Sequence, residues 1–204
     1  MARALSIKNI EEYKPVEMEF SGRWAASFGH PELRGSWLVW GNSGNGKTRF
    51  ALQLSKYLCQ FGRVAYNSLE EGLSKSMQVA IRAVGMQEVG RRFILLDMEP
   101  MEELEARLEK RKSPDIIVID SLQYLQMKQD DYNRFKKKFP HKLFVFLSHA
   151  RGKEPNGSVA RSIRYDAFVK VWIEGYKAFP VSRYECEQEE FVIWQKGALD
   201  YWGV

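Results

Sequence analysis

Cysteine is scarce in this chain: Cys59 and Cys186 are the only two in 204 residues, far apart and without CxxC or Cys/His spacing. That count excludes a disulfide framework and a four-ligand zinc site. Cys59 falls inside a helical apolar pattern, where a small core residue belongs. Long apolar runs are missing too; Leu143–Leu147 is far short of the ~18 residues a membrane helix needs. No basic-then-apolar leader opens the chain, because Met1–Glu11 mixes Arg, Lys and Glu with Ile and Leu. A reduced, cytoplasmic protein without a membrane segment is therefore expected. Acidic excess is absent as well. The 31 Lys+Arg against 26 Asp+Glu leave a net charge of +5, which tilts weakly toward a nucleic-acid partner.

What is present alternates. Short apolar runs trade places with helical stripes from about residue 36 onward, with no internal repeat or low-complexity tract. Ser36–Trp40 reads as a strand. Thr48–Phe61 follows as an amphipathic helix, with Phe50, Ala51, Leu54, Leu58 and Phe61 on one stripe and Gly62 as its C-cap. Strands are expected at Arg63–Asn67, Phe93–Leu96, Ile116–Ile119, Leu143–Leu147, Phe168–Ile173 and Phe191–Trp194. Helices are expected at Ser74–Val84 and Glu102–Lys112, the latter ended before Ser113-Pro114. The all-apolar runs suit strands covered on both faces. Together they predict an α/β fold: a mostly parallel central sheet flanked by helices, in one domain spanning 1–204. The first ~35 residues form a lead-in, with a short helix near Gly22–Phe28.

Gly41, Asn42, Ser43, Gly44, Asn45, Gly46, Lys47 and Thr48 match G-x-x-x-x-G-K-[ST]. Such a loop uses glycines so that the backbone can curl around a phosphate with its N–H groups inward. Lys47 would reach the β- and γ-phosphates and Thr48 would ligate Mg²⁺, while the following helix turns its positive end to the anion. An apolar strand before the motif and an amphipathic helix after it supply the required context. Ile116-Ile-Val-Ile-Asp120 ends an apolar strand in a carboxylate suited to the Mg²⁺ shell. Hydrolysis also needs a group to activate water. Asp120 is followed by Ser121 rather than an acid, so the candidate lies elsewhere. Glu70, at the carboxyl end of the second strand in Tyr66-Asn-Ser-Leu-Glu-Glu-Gly72, points into the ligand crevice of an open α/β sheet. Of Glu70 and Glu71, one is expected to cap the next helix.

These motifs together resemble the RecA-like superfamily of P-loop ATPases, in particular DnaB-type replicative helicase and RadA-like recombinase cores. The resemblance rests on GNSGNGKT, YNSLEEG, IIVIDSLQYL and LFVFLSHARGKEP and covers roughly residues 35–173. It implies ATP and Mg²⁺ as cofactors, Glu70 as the catalytic glutamate, Asp120 as the metal-supporting acid, and Ser148 or His149 as the γ-phosphate sensor. It also implies rings or filaments, in which a neighbouring copy supplies a cation to the γ-phosphate. Arg183 and Lys196 are the candidates for that finger. The 204 residues contain no four-cysteine zinc module and read as close to a bare ATPase core, which favours an accessory or loader role over unwinding.

Ala150–Tyr165 reads as a Gly/Pro-interrupted loop bearing Arg151, Lys153, Arg161 and Arg164. By the resemblance it is a candidate DNA-binding loop with salt-dependent, sequence-tolerant affinity. The same charges would serve a solvated loop or an arginine lid over ATP. The lysines of Arg134–Lys142 are expected on a solvated face, with Phe135 and Phe139 packed inward. Tyr124 is expected beside the sheet, buried. Two other functions fit the sequence: a small-molecule or nucleotide kinase with an arginine lid, and a nucleotide-gated interaction module with little turnover. The leading expectation is a DNA-dependent ATPase of recombination, replication or mobile elements.

Overall fold

The strand residues of this chain are apolar on both sides, and each side of the sheet acquires its own helical cover. The computed structural model describes residues 4–203. Two short helices, α1 (Ile7–Glu11) and α2 (Arg23–Phe28), precede β1 (Gly35–Gly41). Then come α3 (Lys47–Leu58), β2 (Val64–Ser68), α4 (Lys75–Val84), β3 (Phe93–Asp97), α5 (Met101–Leu108) and β4 (Ile116–Asp120). The chain continues through α6 (Gln129–Lys138), β5 (Leu143–Arg151), the short β6 (Glu154–Pro155) and α7 (Ser158–Asp166). It closes with β7 (Val169–Glu174), β8 (Lys177–Ser182), β9 (Phe191–Val192) and α8 (Gln195–Trp202).

The sheet order is β3-β2-β4-β5-β1-β7-β8-β9, with β6 paired to β5. From β3 through β7 all pairs are parallel; β8 and β9 add antiparallel strands at one side. Alternation along each strand splits the core in two. Trp37, Val39, Tyr66, Val118 and Val145 face Phe50, Leu54, Leu58 and Met77 of α3 and α4. Leu38, Ala65, Ile117, Ile119, Phe144 and Phe146 face Leu104, Leu108, Phe135 and Ile163 of α5, α6 and α7. Among the described residues no helix is long and apolar enough to cross a membrane.

The lead-in divides sharply. Met18, Phe20, Trp24 and Phe28 are buried in the first core, where Trp24 stacks on Tyr57 with ring centroids 4.8 Å apart. Residues before them lie on the surface. Boundaries also differ from the sequence expectation. α3 stops at Leu58, capped by the Cys59 N–H on the Ser55 carbonyl, so Gly62 is not its C-cap. A Cβ on Gly62 would press on Asp115, which explains a glycine there without a left-handed backbone. α5 ends at Leu108, whose carbonyl accepts the Ser113 hydroxyl at 2.9 Å. The last predicted strand shrinks to Phe191–Val192, because Ile193 turns its N–H to the Tyr176 carbonyl. β8 carries Pro180 where β9 no longer pairs, so the missing N–H costs no ladder bond on that edge.

Parallel register brings the carboxyl ends of β1, β2, β4 and β5 to one edge: Gly41 lies opposite His149, and Ser68 opposite Asp120. A Cβ at Gly41 would run into the Ile173 backbone carbonyl of β7. Gly41→Ala should therefore cost roughly 1–3 kcal/mol, since β7 can yield only by straining its pairing with β1. Thermal unfolding of the ligand-free protein checks this; an unchanged midpoint would contradict it.

Candidate functional site

The loop after β1 is shaped by two glycines. Gly44 and Gly46 have φ of 77° and 97°, a region that side chains resist. Gly46 also lies under the Tyr176 ring, 3.0 Å from where a Cβ would stand. No side chain caps the start of α3, so its first N–H groups face the loop's concavity. Lys47 Nζ folds across that concavity to the Asn42 carbonyl at 3.0 Å. Burial pushes its ammonium below the ordinary lysine value, while the Asp120 and Glu70 charges pull the other way. Asn45 ties the loop to the β7–β8 turn: its Oδ1 accepts the Gly175 N–H at 2.7 Å, and its carbonyl accepts the Tyr176 N–H at 3.2 Å.

Asp120 sits beneath this loop. Thr48 Oγ1 donates to its Oδ2 at 3.4 Å and the Tyr66 hydroxyl donates to the same oxygen at 2.5 Å. Burial pushes the Asp120 carboxyl up to about 6; the Tyr66 hydrogen bond opposes this, the Glu70 charge adds to it, and Lys47 opposes it. A buried carboxylate next to a hydroxyl offers hard oxygen donors of the kind Mg²⁺ takes. Among the described residues no cluster of three or more His, Cys, Asp or Glu could hold an ion. A cation here would complete its shell with phosphate and water oxygens. Tyr66 carried no signal beyond its place on an apolar strand.

The two glutamates separate. Glu71 Oε2 accepts from Ser76 Oγ at 2.7 Å and from Ser74 Oγ at 3.4 Å, beside the start of α4. Glu70 turns to the cleft, and its position is set by the main chain: the Leu69 and Glu70 N–H groups both donate to the Asp120 carbonyl, at 2.6 and 3.2 Å. Glu70 Oε2 lies 2.9 Å from His149 Nε2, with Ser121 Oγ 3.4 Å from that nitrogen. Ser148 is fully buried and donates to the His149 carbonyl at 2.9 Å. Of the two sensor candidates, only His149 presents its side chain to Glu70.

Gln123, which sequence reasoning missed, clamps this strand end. Its Nε2 donates to Ser148 Oγ and to the Asn156 carbonyl, both at 2.9 Å, and its Oε1 accepts the His149 N–H at 3.1 Å. Its signal was its place three residues after Asp120. Tyr124 is half exposed rather than buried; its ring stands edge-on to His149, 6.1 Å away.

The segment expected as a basic loop is ordered. β5 runs on to Arg151 and folds back through β6, with Arg151 opposite Glu154, and α7 follows. Ala160 and Ile163, three apart, fix that helix to the sheet. Arg151, Lys153 and Arg161 are exposed, whereas Arg164 pairs with Glu154 and lies 5.2 Å over the Trp40 ring. The Asn156 N–H donates to the His149 carbonyl at 2.9 Å, so the basic hairpin is anchored on the residue that faces Glu70. Arg183 lies past β8, bonded to the Tyr165 carbonyl at 3.0 Å, at the sheet end opposite Gly41. Lys196 is exposed on the first turn of α8. The structure does not bring these two to the phosphate loop of their own chain.

No family model matches the chain. The DNA repair protein RadA of Streptococcus pneumoniae is 36% identical over 86 residues, 42% of this chain and 20% of that protein. The DNA repair protein RadA of Streptococcus pyogenes is 33% identical over 86 residues, 42% of this chain and 18% of that protein. The chain thus spans about a fifth of the length of the curated relatives it matches. Among solved structures, the flagellar accessory protein FlaH from Methanocaldococcus jannaschii superposes with a TM-score of 0.60 at 16% identity, covering 86% of this chain and 90% of FlaH. The ATPase domain of a DnaB-like helicase gives 0.52 at 14% identity, covering 77% of this chain and 80% of that domain. A parallel α/β sheet with a phosphate loop after its first strand defines a P-loop nucleotide-binding fold. Within that class, the chain carries the RecA-like ATPase fold.

Asp120 makes a test of this geometry possible. An acid whose folded value is raised binds a proton in the folded chain that the unfolded chain lacks, between about pH 4 and 6. Its contribution to stability therefore falls as pH rises through that window and stays low above it. Asp120→Asn should raise the unfolding midpoint of the metal-free protein at pH 7.5, by on the order of 2 kcal/mol, and flatten its dependence between pH 4.5 and 6.5. Parallel thermal melts of both proteins read this out.

Proposed function

We propose that this chain binds Mg²⁺–ATP at Gly41–Thr48 and hydrolyses it, with turnover coupled to DNA. The observation that carries the reading is Glu70: a carboxylate at the strand edge, backed by Asp120 and 2.9 Å from His149, whose carbonyl anchors a basic hairpin. The loop amides and Lys47 bind the triphosphate; to do so Lys47 exchanges the Asn42 carbonyl for phosphate oxygens. Thr48 and Asp120 hold the cation, which when bound draws charge from the β- and γ-phosphate oxygens. Glu70 orients the attacking water and takes its proton. His149 reports an occupied γ-phosphate position by releasing or regaining Glu70, and the Asn156–Gln123 bonds pass that change to Arg151 and Lys153.

Support for a DNA partner comes from two sources: the exposed cations of the hairpin, and the matched segment of proteins named for DNA repair. Copies of the chain assemble with one another or with a replication or recombination protein, and Arg183 or Lys196 supplies the cation acting between subunits. The nucleotide-kinase alternative needs an arginine lid over the acceptor, and Arg164 is instead engaged by Glu154 and Trp40.

Calorimetry and steady-state turnover test the reading. Lys47→Ala should abolish ATP uptake. Glu70→Gln should lower kcat by about 10²–10⁴ while ATP affinity stays within a few-fold. Single-stranded or duplex DNA should stimulate wild-type turnover, and Arg151→Ala with Lys153→Ala should remove that stimulation and flatten its salt dependence. Phosphate transfer to a nucleoside monophosphate would overturn the assignment.

A further inference from the structure

The segment before the first core residue is apolar and uncovered. Leu5, Ile7, Ile10, Tyr13 and Val16 are each more than half exposed, and α1 buries nothing. Isolated short helices are unstable in water, yet this one is held locally. Ser6 and Asn9 form a capping box, with the Asn9 N–H on Ser6 Oγ and the Ser6 N–H on Asn9 Oδ1, each at 3.3 Å. The result is a preformed arm with an apolar stripe flanked by Glu11 and Glu12.

A matching surface exists elsewhere on the chain. Between the first turn of α3 and α4 lies a groove of about 550 Å³ lined by Arg49, Lys75, Ser76, Val79, Ala80 and Ala83. The two alanines leave room for branched side chains, and Val79 is more than half exposed. Arg49 and Lys75 form no ion pair among the described residues, and Arg49 Nε is buried without a hydrogen-bond partner. The arm's own root is far from this groove. The Leu33 N–H donates to the Val16 carbonyl and the Met18 N–H to the Pro31 carbonyl, both at 2.8 Å, at the amino end of β1. The groove opens at the other end, beside Thr48.

We propose that residues 5–16 of one copy dock in the α3–α4 groove of the next, with Ile7 and Ile10 against Val79, Ala80 and Ala83 and with Glu11 and Glu12 facing Arg49 and Lys75. The inference rests on the assembly proposed above and names its contact. Such a head-to-tail junction joins unlike surfaces, so it repeats into a ring or filament. It also sets the neighbour's arm next to the phosphate loop.

Sedimentation with and without Mg²⁺–ATP tests it, using Ile7→Glu/Ile10→Glu as the arm variant and Val79→Glu as the groove variant. All three positions are exposed, so folding is spared. Each variant alone should assemble at least about tenfold more weakly than wild type. An equal mixture should form a one-to-one dimer and stop there, because it retains one intact arm and one intact groove. Variants that assemble like wild type would overturn this junction while leaving assembly in place. Wild type that stays monomeric with nucleotide and DNA would overturn the assembly reading itself. Loss of DNA affinity in Val79→Glu with assembly unchanged, or a change of shape without change of mass, would assign the groove to DNA or to the chain's own arm and overturn the proposal.

Discussion

Asp120 carries its carboxylate at a place almost closed to water, where β4 ends between β2 and β5. A buried charge is costly unless something compensates it. Here Tyr66 and Thr48 supply hydrogen bonds and Lys47 a nearby cation, and the compensation is incomplete: the acid is pushed up to about 6. The remaining deficit is the driving force for taking a divalent ion. The same residue's carbonyl holds the Leu69 and Glu70 N–H groups. One strand end therefore serves the cation position with its side chain and the candidate general base with its backbone.

From Glu70 the contacts run in one direction. His149 faces it, Gln123 grips the His149 N–H, and Asn156 returns from the hairpin to the His149 carbonyl. These are short polar links between β2, β4, β5 and β6, so a shift of Glu70 toward a bound phosphate bears directly on where Arg151 and Lys153 stand. On the opposite flank, Asn45 binds the β7–β8 turn. The phosphate loop is thus braced by strands that follow it by more than a hundred residues.

Much of the sheet was legible because the residues that build it are apolar without interruption. Ile116–Ile119 and Leu143–Leu147 could only be strands covered on both faces, and the stripe of Phe50, Leu54 and Leu58 could only be a helix packed on one side. Less legible were elements stabilised by distant contacts. β8 contains a proline and owes its place to pairing with β7. α7 follows a glycine-broken stretch and is fixed by Ala160 and Ile163 against the sheet. Tyr124 sat near apolar neighbours in sequence, yet its ring remains at the rim beside His149.

The residue order alone determined the phosphate loop, because a backbone that must curl tightly needs glycines at fixed offsets and the motif is contiguous. It also determined the strand-ending acid and the alternation that makes an α/β sheet. Which of Glu70 and Glu71 enters the cleft, which of Ser148 and His149 meets it, and what Gln123 and Asn45 hold were decided only by the fold. Those choices depend on register between strands far apart in the chain, and sequence spacing does not encode the direction a side chain takes once neighbouring strands have closed around it.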